Sequence, residues 1–70
     1  MAVAFSIELE REIDGRWIAE VVELPGVLAY GATQQQAIAQ AQALALRVVA
    51  DQLEHDEAGR DDLDISFAAA

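Results

Sequence analysis

One segment of this chain has a helical repeat of apolar residues, and segments typical of strands lie on both sides of it. From Gln34 to about Leu53, apolar side chains recur every three or four residues, which predicts one amphipathic helix. Alternation over residues 3–9 and 63–67, and apolar, β-branched composition over 17–24 and 27–30, predict four strands. The predicted order is therefore β-β-β-α-β. Because one helix covers only one face of a four-stranded sheet, what covers the other face is the informative question.

The length of the chain limits how this sheet can be stabilised. Seventy residues allow one small α+β domain, residues 1–70, with three antiparallel strands, a fourth strand and the helix on one face. Domains of this size bury only about 60% of the surface that the unfolded chain exposes. Self-association is a common remedy, so the uncovered face is a candidate interface between copies.

The first hairpin determines which side chains lie on the uncovered face. A two-residue loop at Asp14-Gly15 places Trp17, Ala19 and Val21 there. A three-residue loop that begins at Ile13 is favoured, because it keeps Glu20 off the side that the helix covers. The possible oligomer interface under this register comprises Ile18, Val22 and Leu24.

Charge favours a basic protein as the partner. The chain has 13 acidic residues, four arginines and no lysine, which gives a net charge of -9. This charge disfavours direct contact with nucleic acid, because phosphates repel it. Acidic residues crowd the predicted helix C-terminus, where the helix dipole disfavours them. They form either a solvated loop or a surface for a basic partner, the possible acidic patch: Asp51, Glu54, Asp56, Glu57, Asp61 and Asp62.

Several functional classes find little support in the sequence. Without cysteine there is no disulfide framework and no thiolate metal site, and a lone His55 among carboxylates is a weak metal motif. Glu8 and Glu10 face away from the helix, so carboxylates do not converge as a two-metal nuclease requires. No apolar run of about 20 residues and no signal sequence is present, so we expect no membrane span and a cytoplasmic location. We expect no cofactor and no catalytic activity.

Two turn motifs carry a resemblance to a known family. Pro25-Gly26 fits a type II turn, and Thr33 with Gln36 fits a capping box in which Gln36 bonds the Thr33 N–H. With their surroundings, these residues resemble the HicB family of antitoxins over about residues 5–54. The motif residues are Trp17, Ala19, Pro25, Gly26, Gly31, Thr33, Gln36 and Ala37. The chain departs from the family pattern at Gln36, usually Glu, and at Val22, often Pro.

The resemblance implies a fold and a function. It implies the family's partial RNase H-like fold, with sheet order 3-2-1-4, and a homodimer or homotetramer. It implies the antitoxin of a type II toxin-antitoxin system that binds and occludes HicA, a small basic mRNA-cleaving toxin. The DNA-binding domain of longer members has no counterpart in these 70 residues, so operator binding is not expected. The alternative is an orphan HicB-like homo-oligomeric domain that binds proteins but has no cognate toxin.

Overall fold

The computed structural model describes residues 2–56 and 63–70 and has the predicted α+β architecture. The sheet has the order β3-β2-β1-β4, in which β1, β2 and β3 are antiparallel neighbours and β4 runs parallel to β1. The predicted β-β-β-α-β order and the 3-2-1-4 sheet are therefore confirmed. The elements are β1 (Ala2–Arg11), β2 (Trp17–Val21), β3 (Leu28–Gly31), α1 (Gln34–Asp56) and β4 (Asp64–Ala69).

The three-residue hairpin loop is also confirmed. Ile7 lies opposite Val21 in the β1–β2 ladder. The Glu12 N–H donates to the Arg16 carbonyl over 2.7 Å, which closes the ladder just before the loop. Gly15 has φ 91°, a conformation that glycine adopts without steric cost. The register assigns the even-numbered side chains of β1 to the face that α1 does not cover.

The second strand ends earlier than its composition predicts. The predicted strand extends to Leu24, but β2 ends at Val21, and the Leu24 N–H donates to the Val21 carbonyl over 3.1 Å. The predicted type II turn follows, with Gly26 at φ 85° and the Val27 N–H donating to the Leu24 carbonyl over 3.0 Å. Leu24 therefore packs against the core, and its predicted place on the uncovered face is wrong.

The helix begins at the predicted residue and extends three residues beyond Leu53, to Asp56. The Thr33 hydroxyl accepts a hydrogen bond from the Gln36 N–H over 3.1 Å, as an N-cap should. The Gln36 side chain accepts from the Ala32 N–H over 3.0 Å, one residue before the predicted donor. The capping motif thus satisfies two backbone donors, and only the donor to the Gln36 side chain differs from the predicted one.

Small side chains hold the helix close to the sheet. Ala37, Ala41 and Ala45 have no solvent exposure, and they lie four residues apart on one face of α1. The helix packs mainly on β2 and β3, where Ala19 and Val21 are fully buried. Because these contacts involve mostly methyl groups, the helix and sheet backbones approach closely.

The β1–β4 side of the sheet depends on an aromatic contact. Phe5 is buried in the core, and its ring centroid lies 5.5 Å from that of half-buried Phe67. This contact joins β4 to the core, although α1 packs mainly over the other two strands. No helix in the described part of the chain is long and apolar enough to cross a bilayer.

Candidate functional site: the open face of the sheet

The sheet face opposite α1, hereafter the open face, combines exposed apolar and acidic side chains. Val22 is 46% exposed beside it, and Tyr30 and Leu28 on β3 are 45% and 37% exposed. Half-buried Ile18 lies between Glu10 and Tyr30 in the strand ladder. The sequence prediction placed Ile18 and Val22 on this side, and the observed register brings them together there. The candidate site on the open face comprises Glu8, Glu10, Ile18, Glu20, Val22, Leu28 and Tyr30.

Two glutamates on this face oppose each other directly. Glu8 pairs with Glu20 across the β1–β2 ladder, and both are exposed. Like charges directly opposite in an antiparallel pair destabilise the sheet. Among the described residues, no ion pair involves Glu8, Glu10 or Glu20. The face therefore presents negative charge that the described part of the chain does not compensate.

Arg16 is engaged at the edge of this face. The Arg16 guanidinium lies 2.7 Å from the Asp14 carboxylate and 4.7 Å above the ring centroid of Tyr30. The Arg16 backbone N–H is the main cause of the lowered pKa of Asp14, and the guanidinium adds to it. Arg11 lies on the helix side, and its guanidinium is 5.7 Å from the ring centroid of half-buried Trp17.

Glu23 has a structural role that the sequence did not indicate. Glu23 is exposed, and its carboxylate accepts a hydrogen bond from the Ser6 N–H over 2.7 Å. The chain has turned away after Val22, so the carboxylate supplies the acceptor at the end of the β1–β2 ladder. The hydrogen bond from Ser6 lowers the pKa of Glu23. This acid stabilises the fold next to the open face.

The predicted C-terminal acidic patch is only partly described. Asp51 and Glu54 are exposed on α1, and Asp56 is its last residue. Glu57, Asp61 and Asp62 lie outside the described residues. The His55 ring Nδ1 lies 3.2 Å from an Asp51 carboxylate oxygen, one turn away on the helix. Within residues 2–56 and 63–70, no three acidic or histidine side chains are grouped to hold a metal ion.

The predicted motif residues take structural positions. A Cβ at Gly31 would collide with the Ala37 nitrogen and lie 2.9 Å from the Gln36 carbonyl carbon, so β3 and α1 meet where no side chain fits. Ala19 and Ala37 are fully buried at the helix–sheet contact. Together with the turn at Pro25-Gly26 and the cap at Thr33, these residues shape the fold.

A shallow groove lies between the Pro25-Gly26 turn and α1. Its volume is about 300 Å³, at the lower limit of small-molecule sites. Val27, Leu44 and Val48 line it, with Arg47 and Asp51 at its rim. The walls of this groove are mainly apolar. The open face is the stronger candidate site, because its exposed apolar residues are larger and because it also carries the opposed charges.

No family model, curated protein or solved structure matches this chain. The resemblance to HicB antitoxins therefore rests on the motif residues of the chain itself.

Proposed function

We propose that this chain is an antitoxin that binds a small basic HicA-type toxin in the cytoplasm and occludes it from mRNA. The observation that carries the proposal is the open face, where exposed apolar residues surround the opposed pair Glu8 and Glu20. The motif residues between Trp17 and Ala37 support the choice of family. In this proposal the chain acts by binding and needs neither a metal nor a cofactor.

The composition of the open face favours a cationic protein surface as its partner. Burial of Val22, Leu28 and Tyr30 would provide apolar contact area, since the partner would remove them from water. Arginine or lysine side chains from the partner would relieve the repulsion between Glu8 and Glu20. The overall charge of -9 would also accelerate the encounter with a basic protein.

Occlusion requires contact with the toxin and no chemistry by this chain. A ribonuclease must admit a phosphate backbone, so its substrate site is electropositive. An acidic surface that covers this site competes with RNA for the same cations. The acidic residues at the end of α1, Asp51 and Glu54 among them, are the second surface that could meet the toxin.

The experiment is a tagged pull-down from the native host at low salt, with intact-mass analysis of the proteins retained. We expect a stoichiometric small basic protein that is released by salt, cleaves mRNA alone and loses this activity when the present chain is added. Recovery of the chain alone as a defined multimer would instead favour the orphan homo-oligomeric domain, for which the exposed Val22 and Tyr30 are the supporting observation.

Two matched variants then separate the acidic surfaces. The triple variant Glu8→Gln, Glu10→Gln, Glu20→Gln should weaken toxin binding at least tenfold at low salt and flatten its salt dependence. The control, Asp51→Asn with Glu54→Gln, should retain most of the affinity. If only the control variant loses affinity, the toxin binds at the end of α1. If neither variant changes the affinity, electrostatic docking by these residues is wrong.

A further inference from the structure

Within the part of the chain that the structure describes, the outer edge of β4 has backbone groups with no strand beside them. The Ala70 N–H donates to the Ile7 carbonyl over 2.8 Å, so even-numbered residues of this segment direct their backbone groups toward β1. Because backbone groups alternate in direction along a strand, those of Ile65, Phe67 and Ala69 point away from the sheet. The order β3-β2-β1-β4 leaves β4 at the edge.

This edge lacks the features by which sheet edges usually avoid pairing. Edge strands are commonly protected by lysine, proline, bulges or inward charges. The sequence of β4 is Asp-Ile-Ser-Phe-Ala-Ala, and its only charged residue, Asp64, is its first. The opposite edge, β3, is shorter, and Arg16 lies over its Tyr30 ring. Gly31, at the end of β3, abuts the first turn of α1.

We propose that two copies of this chain associate through antiparallel pairing of their β4 edges. The two sheets would become one eight-stranded sheet, with both helices on the same side. Directly opposed side chains in a ladder lie on the same side of the sheet. Odd-numbered residues of one copy must therefore pair with odd-numbered residues of the other. The register with Phe67 opposite Phe67 of the second copy and Ile65 opposite Ala69 satisfies this condition. It forms about six backbone hydrogen bonds from the groups that point outward.

Charge favours this edge over the open face as the contact between copies. In the proposed register Asp64 lies opposite Ala70 of the second copy, so the two Asp64 residues are about 20 Å apart along the strands. That separation exceeds the screening length of about 10 Å at 0.1 M salt. Stacking of two open faces would instead bring two Glu8–Glu20 pairs together across a sheet spacing of about 10 Å.

The aromatic residues favour a second copy as the occupant of the edge. Phe67 stacks on Phe5 on the helix side of the sheet. The register places a second Phe67 directly beside it, which extends the pair across the two-fold axis. Aromatic cross-strand pairs stabilise antiparallel sheets. Pairing at β4 also leaves the open face free, so this proposal does not depend on the toxin.

The experiment begins with the molar mass of the wild-type protein, measured by light scattering across a concentration series. We expect twice the monomer mass of 7.5 kDa at high concentration. Ala69→Pro should restore the monomer mass, because proline removes an outward N–H, and an edge strand tolerates proline at such a position. Ala69→Ser keeps the N–H and should remain dimeric. Circular dichroism checks that both variants are folded.

Cysteine cross-linking locates the interface, because the chain has no cysteine of its own. In the proposed dimer, Ser66 and its copy lie roughly 8 Å apart, whereas Glu20 and its copy are separated by at least about 24 Å. A short bismaleimide should therefore link Ser66→Cys but not Glu20→Cys. The proposal is overturned by a monomeric wild-type protein, by a dimeric Ala69→Pro variant, or by linking of Glu20→Cys alone.

Discussion

At the scale of single residues, Gly31 determines how closely α1 follows β3. Its missing side chain leaves room for the backbone at Gln36 and Ala37. The tight approach allows Thr33 to cap the helix only two residues after the strand ends. The glycine is therefore required by a backbone contact, and its φ is not in the left-handed region.

Replacement of this glycine tests the contact. Gly31→Ala should lower the free energy of unfolding by about 3 kcal/mol, because the added methyl group meets backbone atoms that cannot rotate away. Gly26→Ala is the matched control: its Cβ meets nothing within 4 Å, and only the positive φ costs about 1–2 kcal/mol. Urea unfolding followed by the fluorescence of Trp17, the only tryptophan, measures both. An equal or smaller loss at Gly31 would contradict the contact.

Glu23 makes the stability depend on pH in a defined direction. Its folded-state pKa is lowered because the carboxylate accepts the Ser6 N–H. Its contribution is therefore present above the unfolded-state pKa of about 4.5 and is lost as the pH falls through the folded-state value. Glu23→Gln should be less stable than wild type at pH 7, and the difference should vanish in acid. Ser6→Ala keeps the N–H, the main cause of the lowered pKa, but loses the hydroxyl that adds to it, so it should retain only part of the pH dependence. A constant Glu23→Gln difference at all pH values would contradict this role.

The residue-scale predictions succeeded where the interaction is local. The cap at Thr33 and the turn at Gly26 depend on residues within four positions, so the sequence displays the whole motif. The bond from Ser6 to Glu23 joins residues 17 positions apart and forms only because β2 ends before Glu23. No local pattern of residues indicates it.

At the scale of the elements, the contact between α1 and the sheet depends on alanine. The positions that face β2 and β3 carry methyl groups, and larger apolar residues lie at the sides of the stripe. The periodicity of the sequence predicted the stripe, because the repeat runs uninterrupted over five turns.

A larger residue in this stripe should separate the helix from the sheet. Ala41→Leu should destabilise the protein by about 2–3 kcal/mol, because three additional carbon atoms have no space at a site with no solvent exposure. Ala39→Leu adds the same side chain at an exposed position of the same helix and should change stability by less than about 0.5 kcal/mol. Thermal and urea unfolding provide the comparison. Equal effects would show that the helix does not pack through this stripe.

The strand boundaries were less predictable than the strand order. Residues 17–24 are apolar apart from Glu20 and Glu23, and nothing in their composition marks the end of β2 at Val21. The end is set by the reverse turn from Val21 to Leu24, which places half-buried Leu24 against the core. The hairpin register was predictable because only one loop length combines a glycine at positive φ with Glu20 on the open side.

At the scale of the whole molecule, folding brings acidic residues together at particular places, whereas the composition gives only their total charge. The net charge of -9 does not indicate where a partner binds. The β1–β2 register brings Glu8 and Glu20 together, although they are 12 positions apart in the sequence, and places them beside exposed apolar residues. The predicted register already placed Glu20 on the open side, whereas the exposure of the apolar residues beside it is known only from the structure.

Relief of the repulsion on the open face should increase the stability of the protein and weaken its binding to the toxin. Glu20→Lys replaces a like-charge pair with an opposite-charge pair and should stabilise the protein by about 0.5 kcal/mol at low salt. The same change should weaken binding of the basic toxin by more than tenfold, because a cation now occupies the contact surface. Glu20→Gln relieves the repulsion without a new charge, so its effects on both quantities should be smaller. Loss of both stability and binding would mean that Glu20 supports the fold. A gain in stability with unchanged binding would mean that the toxin does not bind at the open face.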